Sequence, residues 1–291
     1  MSIRGDALDR LVIPDGTTVE EHDLVTDGDV IIGGLSTVEF GVRGRSVIVG
    51  ERTVFGGSIE SKTDCRLDMW CEVDGNVLVG ADAYIGERVH VNGKLMVSGD
   101  LDIGDDVTID EGFEASGWIV IRNPMPAIIY LFIYLSHMLR IGEEEAAGEM
   151  AAEFLDDDRP KQSAPLVIPR GSRVSDDTWQ VSTDGVIGDN CRLHGNIRAR
   201  RLDLGANNEV FGSLRTKRCI SIGEGTRIHG DVTTRHGTVT IGKNAEILGD
   251  VSCGDLDLHE AARIDGSIRA TGEMSISNET PLSVGPELEP S

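Results

Sequence analysis

The feature that most constrains this chain is that it repeats itself at an offset of 155 residues. Leu11-Val12-Ile13-Pro14 returns as Leu166-Val167-Ile168-Pro169, and Gly57-Ser58-Ile59 returns as Gly212-Ser213-Leu214. Gly75-Asn76-Val77 returns as Gly230-Asp231-Val232, and Glu114-Ala115-Ser116-Gly117 as Arg269-Ala270-Thr271-Gly272. The offset slips by one residue between Ile85-Gly86 and Ile241-Gly242, then recovers. A duplication of this kind has to be settled before any local assignment, because it decides the architecture.

A shorter period runs inside each copy. In the second copy, Ile-Gly or Leu-Gly corners fall at Gly188, Gly205, Gly223 and Gly242, and His259 takes the next place, with spacings of 17, 18, 19 and 17. Gly195, Gly212, Gly230, Gly249 and Gly266 keep the same spacings. Apolar columns accompany them: Leu193, Val210, Ile228, Ile247, Ile264, and Ile197, Leu214, Val232, Val251, Ile268. A third column holds Leu202, Ile220, Val239 and Leu256, and Leu204, Ile222, Ile241 and Leu258 are further candidates for the solenoid core. The first copy follows more loosely, with Val49, Leu67, Ile85, Ile103 and with Ile59, Val77, Leu95, Phe113. Between columns, apolar and polar residues alternate, which gives strands with one buried face. Short strands cut by glycine corners at this period describe a coil of stacked parallel strands. The glycines suit corners that need positive φ or close backbone approach. The predicted fold class is all-β: two tandem parallel β-helices, over 1–121 and 161–279, with a helical insert over 122–160 and a disordered tail over 280–291. Regular helices are excluded by a glycine every seven to ten residues. A sandwich would not hold five residues in one column.

The insert breaks the pattern. Asn123-Pro124-Met125-Pro126 is a helix-start signal. It leads into Ile128, Ile129, Tyr130, Leu131, Phe132, Ile133, Tyr134 and Leu135, with Met138 close behind. An acidic stretch follows, with Glu143, Glu144, Glu145, Glu149, Glu153 and Asp156 to Asp158; Ala147, Met150, Ala151, Phe154 and Leu155 share one helical face within it. As a helix, 127–141 would be about 22 Å long, short of a bilayer span. Three readings compete: a helix buried between solenoids or copies, one lying in the membrane interface with Tyr130, Tyr134 and Arg140 as edge anchors, and a spanning segment.

Charge narrows the partners. The chain carries 50 acidic against 27 basic residues, for a net charge of −23, and only five of the 27 are Lys. That balance works against binding a phosphate backbone, so nucleic acid is not expected. With few aromatics it suggests a high-salt cytoplasm. Cys65, Cys71, Cys191, Cys219 and Cys253 are odd in number and include no C-x-x-C pair, which fits a reducing compartment. The first residues contain no apolar run of the signal-peptide kind. A cytoplasmic protein is expected, with peripheral membrane contact through the insert as an open alternative.

The coil length, the I-x-G and G-x-[IV] motifs and the absence of an evident reactive centre resemble the bactofilins over Leu11–Ile121 and Leu166–Ile276. The tandem, acidic form is similar to their haloarchaeal relatives, the halofilins. The resemblance implies right-handed β-helices that assemble without nucleotide or other cofactor, by stacking through their ends, into cytoskeletal polymers affecting cell shape. Self or a paralogue is the implied partner, and capping of a paralogue's filaments is an alternative role. Solenoid ends leave unpaired strand edges and open cores. The ends are expected at Leu11–Pro14, at Leu166–Pro169, and at the segments closing on Ile121 and Ile276, with Pro14 and Pro169 able to blunt an edge.

A rival class is the hexapeptide-repeat acyltransferase or carbonic-anhydrase-like trimer. Ile222-Gly223-Glu224-Gly225-Thr226-Arg227 and Ile85-Gly86-Glu87-Arg88-Val89-His90 fit its six-residue unit. Here the unit occurs once per coil and not three times, which favours a different β-helix. His194 and His229 sit two coils apart, about 10 Å, too far to share a metal. Asp100 to Asp106 lacks the spaced ligand pattern of a calcium loop. Arg198, Arg200 and Arg201 form a local basic spot that either pairs with acidic neighbours or receives a partner's acidic surface. No catalytic, cofactor-binding or metal-ligating residue is nominated, and a non-enzymatic role is expected.

Overall fold

The computed structural model describes residues 10–20, 22–121 and 165–278. Among these residues there is no helix; the chain forms a three-faced parallel β-solenoid of about 12 turns. Face A has 14 strands, and faces B and C have 12 each. At about 4.8 Å per strand, face A runs for about 62 Å.

The two copies make one continuous stack. The first copy climbs from β4 (Val30–Ile32) to β19 (Ile119–Ile121) at one end of face A, and the second from β23 (Gly185–Ile187) to β38 (Met274–Ser277) at the other. Between them lie β1 (Leu11–Ile13) and β20 (Leu166–Ile168), and each belongs to the other copy's stack. β1 runs parallel to β23, and β20 runs parallel to β4. They meet antiparallel at Val12 and Val167, which are equivalent residues of the duplication. The other faces repeat the exchange. β2 (Thr18–Glu20) pairs with β24 (Arg192–His194), then turns back as β3 (Asp23–Val25) onto its own copy's β6 (Gly41–Gly44). β21 (Arg173–Val174) pairs with β5 (Thr37–Val38), then turns back as β22 (Thr178–Gln180) onto β25 (Asn196–Ala199). The opposed pairs Val19–Leu24 and Val174–Trp179 are again related by the repeat offset. The copies are therefore related by an approximate twofold axis through Val12 and Val167.

This corrects two expectations. The copies are not separable solenoids, because each begins inside the other. Leu11–Ile13 and Leu166–Ile168 are not ends: both strands are paired on both sides, and Pro14 and Pro169 are buried corners in the middle of the stack. The expected helical insert lies outside the described residues, together with Ile128 to Leu135 and Met138. Among the described residues no helix is long and apolar enough to cross a membrane.

One aliphatic core fills the interior from Leu11 to Leu256. Leu193, Ile228, Ile247, Leu204, Ile222 and Ile241 are buried in it; Ile264 and Leu258 pack against it from the last turns. Neighbouring rungs place Val210 over Ile228, Ile228 over Ile247 and Ile247 over Ile264. Each such side chain contributes roughly 1.5–3 kcal/mol by leaving water. The junction holds the largest buried side chain, Trp179, beside Phe40 at a ring distance of 6.2 Å. Trp179 Nε1 donates to the carbonyl of His194 at 3.0 Å, so its one polar group is satisfied.

Most column glycines serve close approach, and not positive φ. Asp82 N–H donates to Asp64 Oδ1 at 3.2 Å, Asp100 N–H to Asp82 Oδ1 at 2.7 Å, and Trp118 N–H to Asp100 Oδ1 at 2.7 Å. Ala81 precedes the first of these donors, at the longest of the three bonds, and glycines precede the other two and leave room for the carboxylate beneath: a Cβ on Gly99 would overlap Asp82 Oδ1, and one on Gly117 would overlap Asp100 Oδ1. Asn196, Ser213, Asp231 and Asp250 do the same along the second copy.

Candidate assembly surfaces

Both free ends of the stack are the last turns of a copy. One end is closed by β18 (Phe113–Ala115) and β19, the other by β37 (Ile268–Ala270) and β38. Their outward edges carry no partner strand among the described residues, while every interior strand of face A has two. The side-chain pattern continues to the edge, yet burial stops. Trp118 is 81% exposed and Ile276 65%, with Phe113, Ile119, Ile268 and Met274 also exposed. The matching strand at the junction, Leu11–Ile13, has Leu11 and Ile13 fully buried. Unpaired edges over exposed apolar residues are where another chain adds on.

The sides are polar and mostly paired. Arg43 bridges Asp23 and Glu60, Arg45 holds Asp29, and Arg173 holds Glu39. Arg200 grips Asp184 through two hydrogen bonds of 2.7 and 2.9 Å. That guanidinium holds the Asp184 carboxyl below the usual carboxylate range, with Arg218 and Arg201 adding to the effect. The basic spot at Arg198, Arg200 and Arg201 is larger than a linear reading suggests: stacking adds Arg215, Lys217, Arg218 and Arg235.

Among the described residues the histidines lie at separate places on the surface and in the last turns. His194 and His229 bracket Phe211 in a stack, with ring distances of 4.7 and 4.4 Å. Arg192 lies 5.1 Å over the Phe211 ring, and His229 Nε2 is 3.2 Å from Glu209 Oε1. A phenyl ring fills the place where a shared ligand would sit. His90 contacts Asp110, and the buried His259 accepts the Ala261 N–H at Nδ1. No group of three or more His, Cys, Asp or Glu among the described residues is placed to hold a metal ion. All five cysteines are free. Burial pushes the thiols of Cys65 and Cys71 up to about 12 and that of Cys191 to about 11, which suits inert core residues and not nucleophiles.

The regions that sequence reasoning missed are the junction and the enlarged basic corner. Residues 185–282 match the family model described as Bactofilin: Polymer-forming cytoskeletal. The match begins at β23, where the second copy's own stack begins, and leaves out the exchanged strands β20 to β22. No curated protein and no solved structure matches the chain.

Proposed function

We propose that this chain is a non-enzymatic scaffold protein that assembles end to end, in the manner its bactofilin-type domain implies. The observation that carries this reading is the contrast between a sealed middle and two open ends. The turns that begin each copy are locked against each other, so growth is left to the last turns at β19 and β38. These are equivalent parts of the duplication, so each chain offers a similar surface at both ends and a string of chains has no built-in direction. The junction illustrates how two such copies can meet: antiparallel strands across a twofold axis. We infer that the polymer acts on cell shape.

The test is electron microscopy and sedimentation of the full chain beside a variant with both ends charged, Ile119→Asp and Ile276→Asp. The wild type is expected to form elongated polymers. Read at 1 M salt, the variant should stay a single chain with an unchanged circular dichroism spectrum. A wild type that is a single chain at every concentration under these conditions would overturn the reading, as would a folded variant that still elongates.

A further inference from the structure

The approximate twofold axis relates two corners that share Asp29 with Asp184, Arg45 with Arg200, Lys62 with Lys217 and Asp100 with Asp255, yet over three rungs of each the exposed charge is predominantly of opposite sign. In the first copy the chain winds from face A to C to B, and in the second from A to B to C. Consequently the turn that re-enters face A lies on its B edge in the first copy and on its C edge in the second.

On the C edge the turns stack cations. Arg200 and Arg201 follow Ala199, Lys217 and Arg218 follow Thr216, and Arg235 follows Thr234; Ala199, Thr216 and Thr234 are in register. Arg198 and Arg215 are paired neighbours on the adjoining strands. All seven are exposed. Seven of the 27 cations thus fall on three rungs, about 10 Å deep, of a chain with net charge −23. Arg200 and Arg201 are engaged by Asp184 and Asp203. Arg198, Arg215, Lys217, Arg218 and Arg235 have no ion pair among the described residues, whereas Arg43, Arg45, Arg170, Arg173 and Arg227 do, and Arg52 and Arg66 lie over the Trp70 and Tyr84 rings.

On the B edge the same turns stack carboxylates. Asp64, Asp82 and Asp100 precede Cys65, Ala83 and Leu101, which are in register, and all three are exposed. Each spends one oxygen on the backbone ladder and has no cation partner among the described residues. Of the local cations, Lys62 is held by Asp27 and Arg45 by Asp29, and Arg66 lies 4.3 Å over the Tyr84 ring. Two columns of only partly compensated charge, opposite in sign and equal in rung spacing, therefore flank opposite edges of face A in opposite halves of the stack.

We propose that copies of this chain associate side by side, the basic C-edge corner of one against the acidic B-edge corner of the next, displaced by half a stack. Because the two corners lie on opposite edges, the contact is heterologous and does not close, so it repeats into a staggered sheet of rods. It deepens the scaffold reading, on which it rests, by adding a sideways contact to the end contact. An anionic lipid surface suits the basic corner less well, since the Asp64 column borders the same face and would be repelled.

Two full-chain variants test this. Lys217→Glu with Arg218→Glu and Arg235→Glu reverses the basic corner. Asp64→Asn with Asp82→Asn and Asp100→Asn removes the opposing charge and keeps the ladder, because Asn76 and Asn196 already accept the same backbone hydrogen bond. Width in electron micrographs and sideways association in sedimentation are read at 50 mM and 1 M salt. Wide wild-type assemblies at low salt should separate at 1 M, where charges are screened beyond about 3 Å. Each variant should be of single width already at low salt, with sideways association weakened about 10-fold or more and polymer length unchanged. Width that ignores salt, or that survives in both variants, overturns the proposal. So does flotation with anionic vesicles that is lost in the Glu variant and kept in the Asn variant, which assigns the corner to lipid. Loss of length in the wild type strikes the end-to-end reading instead, and the sideways contact is then read from sedimentation of the unpolymerised chains.

Discussion

Where the chain leaves face A, the first copy places Leu35, Arg52, Trp70, Arg88 and Asp106 at φ of 58°, 54°, 58°, 54° and 60°. The second copy places Asn190, Asn207, Gly225 and Asn244 at 57°, 53°, 66° and 54°, at the equivalent positions. This left-handed conformation costs an ordinary L-residue roughly 1–2 kcal/mol, while glycine and asparagine visit it readily. One copy thus uses residues suited to the turn and the other forces unsuited ones into it. The stack imposes the corner, and the corner residue does not create it. Backbone ladders above and below fix where each turn must go, and the next side chain clamps it: Ser36 Oγ donates to the Gly33 carbonyl at 2.7 Å, and Thr53 Oγ1 to that of Gly50 at 2.8 Å. Some of the cost is offset on the surface, where Arg52 lies 4.8 Å over the Trp70 ring. The first copy should be the less stable half of a quasi-one-dimensional array.

The largest effect is expected where the two copies do not differ, at the ladder glycines. A Cβ on Gly99 would overlap Asp82 Oδ1, and one on Gly205 would overlap Asp189 Oδ1. Gly99→Ala and Gly205→Ala should each cost about 1–3 kcal/mol by overpacking, read as a lower urea midpoint. In Gly205→Ala combined with Asp189→Ala the overlap with the carboxylate is gone and only the approach to the Gly188 backbone at 2.9 Å is left, so the double variant should lose less than the sum of the singles. An unchanged midpoint in either glycine variant would mean that the corner relaxes freely, and the shared ladder would lose its standing as the common support of both halves.

Much of this architecture was legible because a β-helix writes its interior as columns. Leu193, Val210, Ile228 and Ile247 alternate with polar neighbours at a nearly constant spacing, which single-copy periodicity reveals. The junction was not legible in that way. Leu11-Val12-Ile13-Pro14 alternates identically whether it closes a stack or is inserted into another, since period 2 records which side faces inward and not which strand lies alongside. A weak signal existed. Thr18–Glu20 and Asp23–Val25 are two alternating runs joined by Glu21-His22 without a glycine corner, a hairpin length. Ser175-Asp176-Asp177 marks the same reversal in the second copy. The basic corner was partly visible at Arg198, Arg200 and Arg201. Lys217, Arg218 and Arg235 lie a coil or two further along the chain, and only stacking brings them onto the same corner.

The left-handed corners allow a direct exchange between the copies. Leu35 and Asn190 occupy equivalent positions, and Leu35 is 45% exposed, so its side chain has little packing to lose. Leu35→Asn should raise stability by about 1 kcal/mol, and Asn190→Leu should lower it by a similar amount. Equilibrium urea unfolding measures both. Equal and opposite shifts would tie the difference between the halves to backbone conformation. Two shifts of the same sign would show that local packing, and not φ, separates them.

The thiols give the finest comparison. Cys65 and Cys71 in the first copy are pushed to about 12; in the second, Cys191 is pushed to about 11, and Cys253 is also raised. Desolvation is the leading cause in each case. A thiol raised in the folded state keeps its proton where the unfolded chain has already lost it, so the folded form binds more protons above the ordinary thiol value. Stability contributed this way is intact below about pH 9 and is lost as pH rises toward 12. Lysine and tyrosine titrate in the same range, so the thiols must be isolated by difference. Urea midpoints at pH 8 and pH 10.5 should fall more for the wild type than for Cys65→Ala with Cys71→Ala, and removing Cys253 alone should alter the slope less. If the paired first-copy variant keeps the full alkaline decline, burial of its thiols is not what separates the two halves, and the corner strain at Leu35, Arg52, Trp70 and Arg88 is left as the difference that matters.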